Sequence, residues 1–141
     1  MFCTNFGAMC REAPGWAWRA FFGSRTVTFL RHREALGDTV EVSALVRGLK
    51  KVRPGLRVAV VTRRPEIFLH NPNVDEVRGW HLFRTGMTVR AGYKGKDMFV
   101  EEHVVGIQWR RLWEELDLYG MPSPVGDRAP PLDGVQPEIF L

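Results

Sequence analysis

The sequence predicts an α/β fold, a parallel sheet with helices packed against it. Two observations carry that expectation. From Thr26 the chain reads TVTFLRHREALGDTVEVSALVRGLKKVRPGLRVAVVTR: strand, loop, helix, turn and second strand, in that order. Strands that alternate with helices pair in parallel, and their crossover is right-handed. The two apolar runs, TVTFLR and LRVAVVTR, are rich in β-branched and aromatic residues without strict alternation, the pattern of strands covered on both faces. A chain of 141 residues with 45% apolar content suits one such domain.

Each element has its own warrant. Thr26 to Arg31 is the first strand. Asp38 and Thr39 are residue types favoured at a helix N-cap, so the next helix is expected over 39–51. Within it, Val42, Leu45, Val46 and Leu49 recur at the 3, 4, 7 spacing of one buried stripe. Arg47, Lys50 and Lys51 stand toward its end, where cations complement the helix dipole. Pro54-Gly55 is a turn, and Leu56 to Thr62 the second strand. Pro65 to Leu69 reads as a short helix with proline in its first position, Asn71-Pro72-Asn73 as a turn, and Val74 to Trp80 as a third strand.

Between residues 81 and 100, Gly86, Gly92 and Gly95 suggest turns around one or two short strands, MTVRA and DMFVE. Glu101 to Leu118 reads as a helix with Val105, Trp109, Leu112, Trp113 and Leu116 on its apolar stripe; Glu101 and Glu102 would sit at its positive end, and Gly120 would stop it. Trp109 and Trp113, four apart, read as core before they read as a sugar-stacking platform, because they share a face with Leu112 and Leu116. The domain is therefore expected over 26–120. Pro122, Pro124, Pro130, Pro131 and Pro137 mark 121–141 as a linker or irregular extension.

Residues 1–25 are set apart. They read as a poorly ordered or partly helical extension, as an interfacial segment carrying Trp16, Trp18, Phe21 and Phe22 among arginines, or as translation from a misassigned upstream start.

Composition narrows the function classes. The net charge is +4, from 20 Lys and Arg against 16 Asp and Glu, and the charges are interspersed. Such a surface is either simply solvated or mildly attractive to anionic sugars, nucleotides or lipid headgroups. It lacks the interleaved aromatic and basic pattern of nucleic-acid readers, so no nucleic-acid partner is expected. Cys3 and Cys10 have neither metal nor redox spacing, and His32, His70 and His81 have no metal spacing, so no metal site is expected. Reduced cysteines point to the cytoplasm. No apolar run reaches the ~18 residues of a membrane span, and Arg11, Glu12, Pro14 and Arg19 interrupt any secretory core.

The first loop of a strand–loop–helix–strand unit lies at the carboxyl edge of the sheet, where open α/β folds bind ligands. Asp38 stands at that loop–helix junction. Gly37 beside it permits close backbone approach or a positive φ. Arg31, His32 and Arg33 before the junction, and Arg63 and Arg64 after the second strand, would emerge at the same edge, either as phosphate-binding cations or as solvated loop charges. The loop is neither a GxGxxG fingerprint nor a P-loop, and GYKGKD at 92–97 reads as a surface turn.

In their order and spacing, Leu36-Gly37-Asp38, the helix Ala44 to Lys51, Arg53-Pro54-Gly55, the strand end Val60 to Arg63, and Asn71-Pro72-Asn73-Val74-Asp75-Glu76-Val77 resemble glycosyltransferase family 9, the bacterial heptosyltransferases and their relatives. The match runs from Thr26 to Val77, with a weaker echo through His103 to Leu132. The resemblance implies a Rossmann-like domain, one half of a GT-B enzyme. Such an enzyme moves a heptose-like sugar from a nucleotide-sugar co-substrate to lipopolysaccharide core or another glycan, with inversion and without a cofactor or an obligatory metal. It implies Asp38 as general base, with Gly37, Arg31, Arg33, Arg63, Arg64 and His103 around the substrates; a helix-start polar contact is the other reading of His103, and an N-cap that of Asp38. The expected partners are a glycan or lipid-linked acceptor and a second Rossmann-like donor domain, at the cytoplasmic side with peripheral membrane contact. Family members continue past the point reached at Leu141, so residues 1–141 alone are expected to be inactive. A non-catalytic α/β module that binds a ligand or partner through the same edge is the alternative.

Overall fold

Thr26–Arg31 (β1), Arg57–Thr62 (β2), Glu76–Arg78 (β3) and Met87–Val89 (β4) form one parallel sheet in the order β3-β2-β1-β4. The structure is a computed structural model that describes residues 26–31, 35–79, 87–92, 103–132 and 134–140, with Arg31 defined for its backbone alone. The parallel α/β arrangement expected from the sequence is what forms. Outside the described residues lie the 1–25 extension with its cysteines, His32 and Arg33, Trp80 and His81, most of the GYKGKD turn, the DMFVE strand, and Glu101 with Glu102.

The register explains why the strands lack alternation. Val27 pairs with Val58 and Met87, and Phe29 with Val60 and Val89, so these six share one face of the sheet and belong to one hydrophobic cluster. Thr28, Leu30, Ala59 and Val61 point to the opposite face and are buried as well. Both faces are therefore covered, as a central parallel strand requires. β3 pairs beside β2 through Ala59–Glu76, Val60–Val77 and Val61–Arg78.

Leu36–Val52 (α1) connects β1 to β2. Its stripe Val42, Leu45, Val46 and Leu49 is buried, as the spacing predicts. Its start corrects the expected boundary. The N-cap is Ala35, which offers no side-chain cap, and Asp38 and Thr39 lie inside the first turns rather than at the cap. Thr39 accounts for part of this shift: its amide and its hydroxyl both donate to the Ala35 carbonyl at 3.1 Å, extending the helical ladder upstream. Gly37 takes ordinary helical backbone and no positive φ.

After β2, the expected short helix is a single 3-10 turn, Pro65–Ile67, that buries Ile67 and the following Phe68. Asn71 then forms the expected turn, its Oδ1 accepting from the Asn73 amide at 2.9 Å.

Val104–Leu118 (α2) packs beside α1 and β4. It begins after His103, so Glu101 and Glu102 precede it. It ends as predicted at Gly120, at φ 75°: the Gly120 amide donates to Asp117 and the Met121 amide to Leu116, a Schellman closure. Trp109 and Trp113 are buried core residues, meeting edge to face with centroids 5.6 Å apart. α1 and α2 approach closely because Gly48 has no side chain: a Cβ there would stand 3.0 Å from the Trp109 ring and 2.6 Å from Leu132 Cδ1.

The described part of 121–140 is irregular but docked. Pro122 accepts from Arg53 at 3.2 Å, Pro130 from the Trp109 indole at 2.7 Å, and Leu132 and Val135 pack on the core. Farther on, the Glu138 amide donates to Ser43 Oγ at 2.9 Å, and its carboxylate pairs with Arg47.

Candidate functional site

β1 and β2 end side by side, with Arg31 opposite Thr62, and that edge gathers most of the residues singled out from the sequence. α1 starts five residues beyond β1, which places Gly37 and Asp38 at the carboxyl edge of the sheet. Arg63 and Arg64 follow the last residue of β2 directly. Arg33 lies outside the described residues.

The opening of α1 is the electrostatic feature of this edge. The first amides of a helix have no intrahelical acceptor, and Ala35 at the cap position offers them no side-chain acceptor. The amides of Leu36, Gly37 and Asp38 thus form the positive end of a 17-residue helix. A methyl group placed on Gly37 meets no atom within 4 Å, so the space beside it is open. Asp38 is part-exposed in the first turn, and Arg63 is exposed while Arg64 is half-buried. None of these three is an isolated charge.

His103 is the N-cap of α2, its Nδ1 accepting from the Val105 amide at 3.2 Å. That contact requires an unprotonated Nδ1 and matches the helix-start reading. The ring is exposed. The two helices meet near their starts: Gln108 Nε2 donates to Glu41 Oε2 at 2.8 Å. This tie was not legible in the sequence, because its partners lie 67 residues apart. Glu41 stands three residues after Asp38, so the two carboxylates are neighbours on the helix surface. Gln108 is almost fully buried, and its Oε1 has no hydrogen-bond partner among the described residues.

Asp75, by contrast, belongs to the scaffold. Its Oδ2 accepts from Lys50 Nζ at 2.6 Å and from the Val58 amide at 2.7 Å, and its own amide donates to the Val58 carbonyl at 2.8 Å. Lys50 also donates to the Leu56 carbonyl. One carboxylate thereby ties the end of α1 to the start of β2. Burial pushes the Asp75 carboxyl up, but the Lys50 and Val58 hydrogen bonds and the charges of Lys50 and Arg57 together hold it below its usual range. On β3, the Glu76 carboxylate accepts from Arg78 Nε and Nη2 and holds that guanidinium above its usual value.

The arrangement can attract an anion to the start of α1 and place a carboxylate beside it. Among the described residues, no cluster of three His, Cys, Asp or Glu could hold a metal ion, and no helix is long and apolar enough to cross a membrane. Comparisons with protein-family models, with curated proteins and with solved structures found no match.

Proposed function

We propose that this chain is the acceptor-side domain of a glycosyltransferase resembling family 9, which moves a heptose-like sugar from a nucleotide-sugar donor to a glycan or lipid-linked acceptor. The observation that carries the reading is the place of Asp38: in the first turn of a helix whose cap position is Ala35, at the carboxyl edge of a parallel sheet. Because Ala35 holds the cap position, Asp38 is not used as one.

In this reading the Asp38 carboxylate takes the proton from an acceptor hydroxyl. The oxygen attacks the anomeric carbon from the face opposite the leaving group. The bond to the nucleoside diphosphate breaks, and the configuration inverts. The amides of Leu36 and Gly37, with Arg63 and Arg64, offer donors to phosphate on the acceptor or donor. A second Rossmann-like domain supplies the rest of the nucleotide-sugar site.

The test is a nuclear magnetic resonance titration of the chain with a phosphorylated heptose-containing core oligosaccharide. Amide shifts concentrated at Gly37, Asp38, Arg63 and Arg64 support the reading. Saturable shifts elsewhere, or none at this edge, refute it.

A further inference from the structure

A cavity of about 640 Å³ lies along α2, between that helix and the segment from Pro122 to Leu132. It is separate from the carboxyl edge: Asp38, Arg63 and Arg64 do not line it. Its helical wall is the stripe Gly106, Arg110, Trp113 and Asp117, at positions i, i+4, i+7 and i+11, flanked by Trp109 and Glu114. The facing wall is Pro-rich and pinned. The Trp109 indole donates to the Pro130 carbonyl at 2.7 Å, and Arg53 holds the Pro122 carbonyl at 3.2 Å. The facing segment is thus anchored at Pro122 and at Pro130.

The second observation is an unpaired donor. The indole N–H of Trp113 is buried and has no hydrogen-bond partner among the described residues, although its neighbour Trp109 is satisfied. Buried indole donors are normally paired. Trp113 lines the cavity, and its ring would have to turn to bring that buried donor to a guest or to a bridging water.

The lining chemistry selects the guest. Glu114, Asp117 and Asp127 outnumber Arg110 and Arg128, so a phosphate or nucleotide is repelled. Carboxylates and guanidiniums standing together want a guest whose groups both donate and accept. The indole edges and the Pro122 and Pro130 rings want one with apolar C–H faces. A neutral saccharide meets both demands, and the cavity is within the size range of small-molecule sites. We propose that this cavity is a binding site for a neutral oligosaccharide, with Trp113 as its central donor. The proposal does not depend on the function assigned to Asp38.

The test is a titration of the full chain with maltotriose, cellotriose and a chitin trimer, following the tryptophan indole N–H resonances, with Trp113 assigned from a Trp113→Phe spectrum. At least one sugar should shift the Trp113 resonance saturably, with Trp109, which also lines the cavity, free to shift alongside it. Trp113→Phe keeps a buried ring, and it should weaken binding about tenfold through the lost donor. Asp117→Asn, at an exposed position that cannot unfold the chain, should weaken it as well. No saturable shift with any of the three sugars at millimolar concentration overturns the proposal. So does unchanged affinity in both variants. A lysine-rich peptide that shifts Trp113 where the sugars do not reassigns the cavity to a basic peptide and overturns it equally.

Discussion

Gly48→Ala sets two known effects against each other at the α1–α2 contact. Replacing glycine by alanine inside a helix ordinarily stabilises by about 1 kcal/mol. Here the new methyl would meet Leu132 Cδ1 at 2.6 Å and the Trp109 ring at 3.0 and 3.1 Å. Leu132 is part-exposed, and its methyl can swing aside. Trp109 cannot give cheaply: it is buried, hydrogen-bonded to Pro130 and in edge contact with Trp113. Overpacking a fixed core ring costs roughly 1–3 kcal/mol, so the net expectation is a destabilisation of about 1 kcal/mol. With a urea slope of about 2 kcal/mol/M, the midpoint should fall by about 0.5 M. Leu132→Ala in the same background should recover part of that loss, because it removes the nearest atom. A double-mutant cycle then reports a coupling of about 0.5 kcal/mol or more. A Gly48→Ala chain that is more stable than wild type, with additive behaviour toward Leu132→Ala, would show that the helices do not meet as described.

Two further outcomes follow from named contacts. The Asp75 carboxyl is held low in the folded state, so its contribution is present above the unfolded value of about 3.9 and is lost as pH falls through the lower folded value. Asp75→Asn should therefore flatten the acid limb of a stability–pH profile and, since Asp75 is exposed, cost no more than about 1 kcal/mol at neutral pH; an acid limb as steep as wild type contradicts the clamp. His103→Ala should remove the α2 cap at a cost of about 0.5–1 kcal/mol by urea denaturation, and no loss would show that the 3.2 Å contact to Val105 contributes nothing.

The buried elements were legible because burial leaves a mark in sequence. The β1 and β2 runs and the Val42–Leu49 stripe are apolar where the fold covers them, and Gly120 stops α2 where a left-handed residue is needed. The start of α1 was misread because cap preference is a local signal. Asp38 and Thr39 look like caps, but Thr39 bonds backward to Ala35 and the helix takes in Leu36 and Gly37. The Asn71 to Val77 segment was legible as a motif but not as a mechanism: that Asp75 joins α1 to β2 depends on Lys50 arriving from 25 residues away. The Pro-rich end gives no periodic signal, since it is held by single polar contacts and a few apolar anchors such as Leu132. Of the candidate site, the shared edge of Asp38, Arg63 and Arg64 was readable from strand order alone, while the Glu41–Gln108 tie was not.

The central claim is tested most directly by sugar transfer from the chain joined to a second Rossmann-like donor domain of the proposed kind, comparing wild type with Asp38→Asn. The substitution keeps shape and leaves Ala35 at the cap, so only a small dipole effect on stability, up to about 1 kcal/mol, is expected. An amide cannot accept the hydroxyl proton, so the account predicts a fall in kcat of about 100-fold or more with acceptor binding retained. Transfer by Asp38→Asn at a rate near wild type would contradict it and leave Asp38 a helix-start residue.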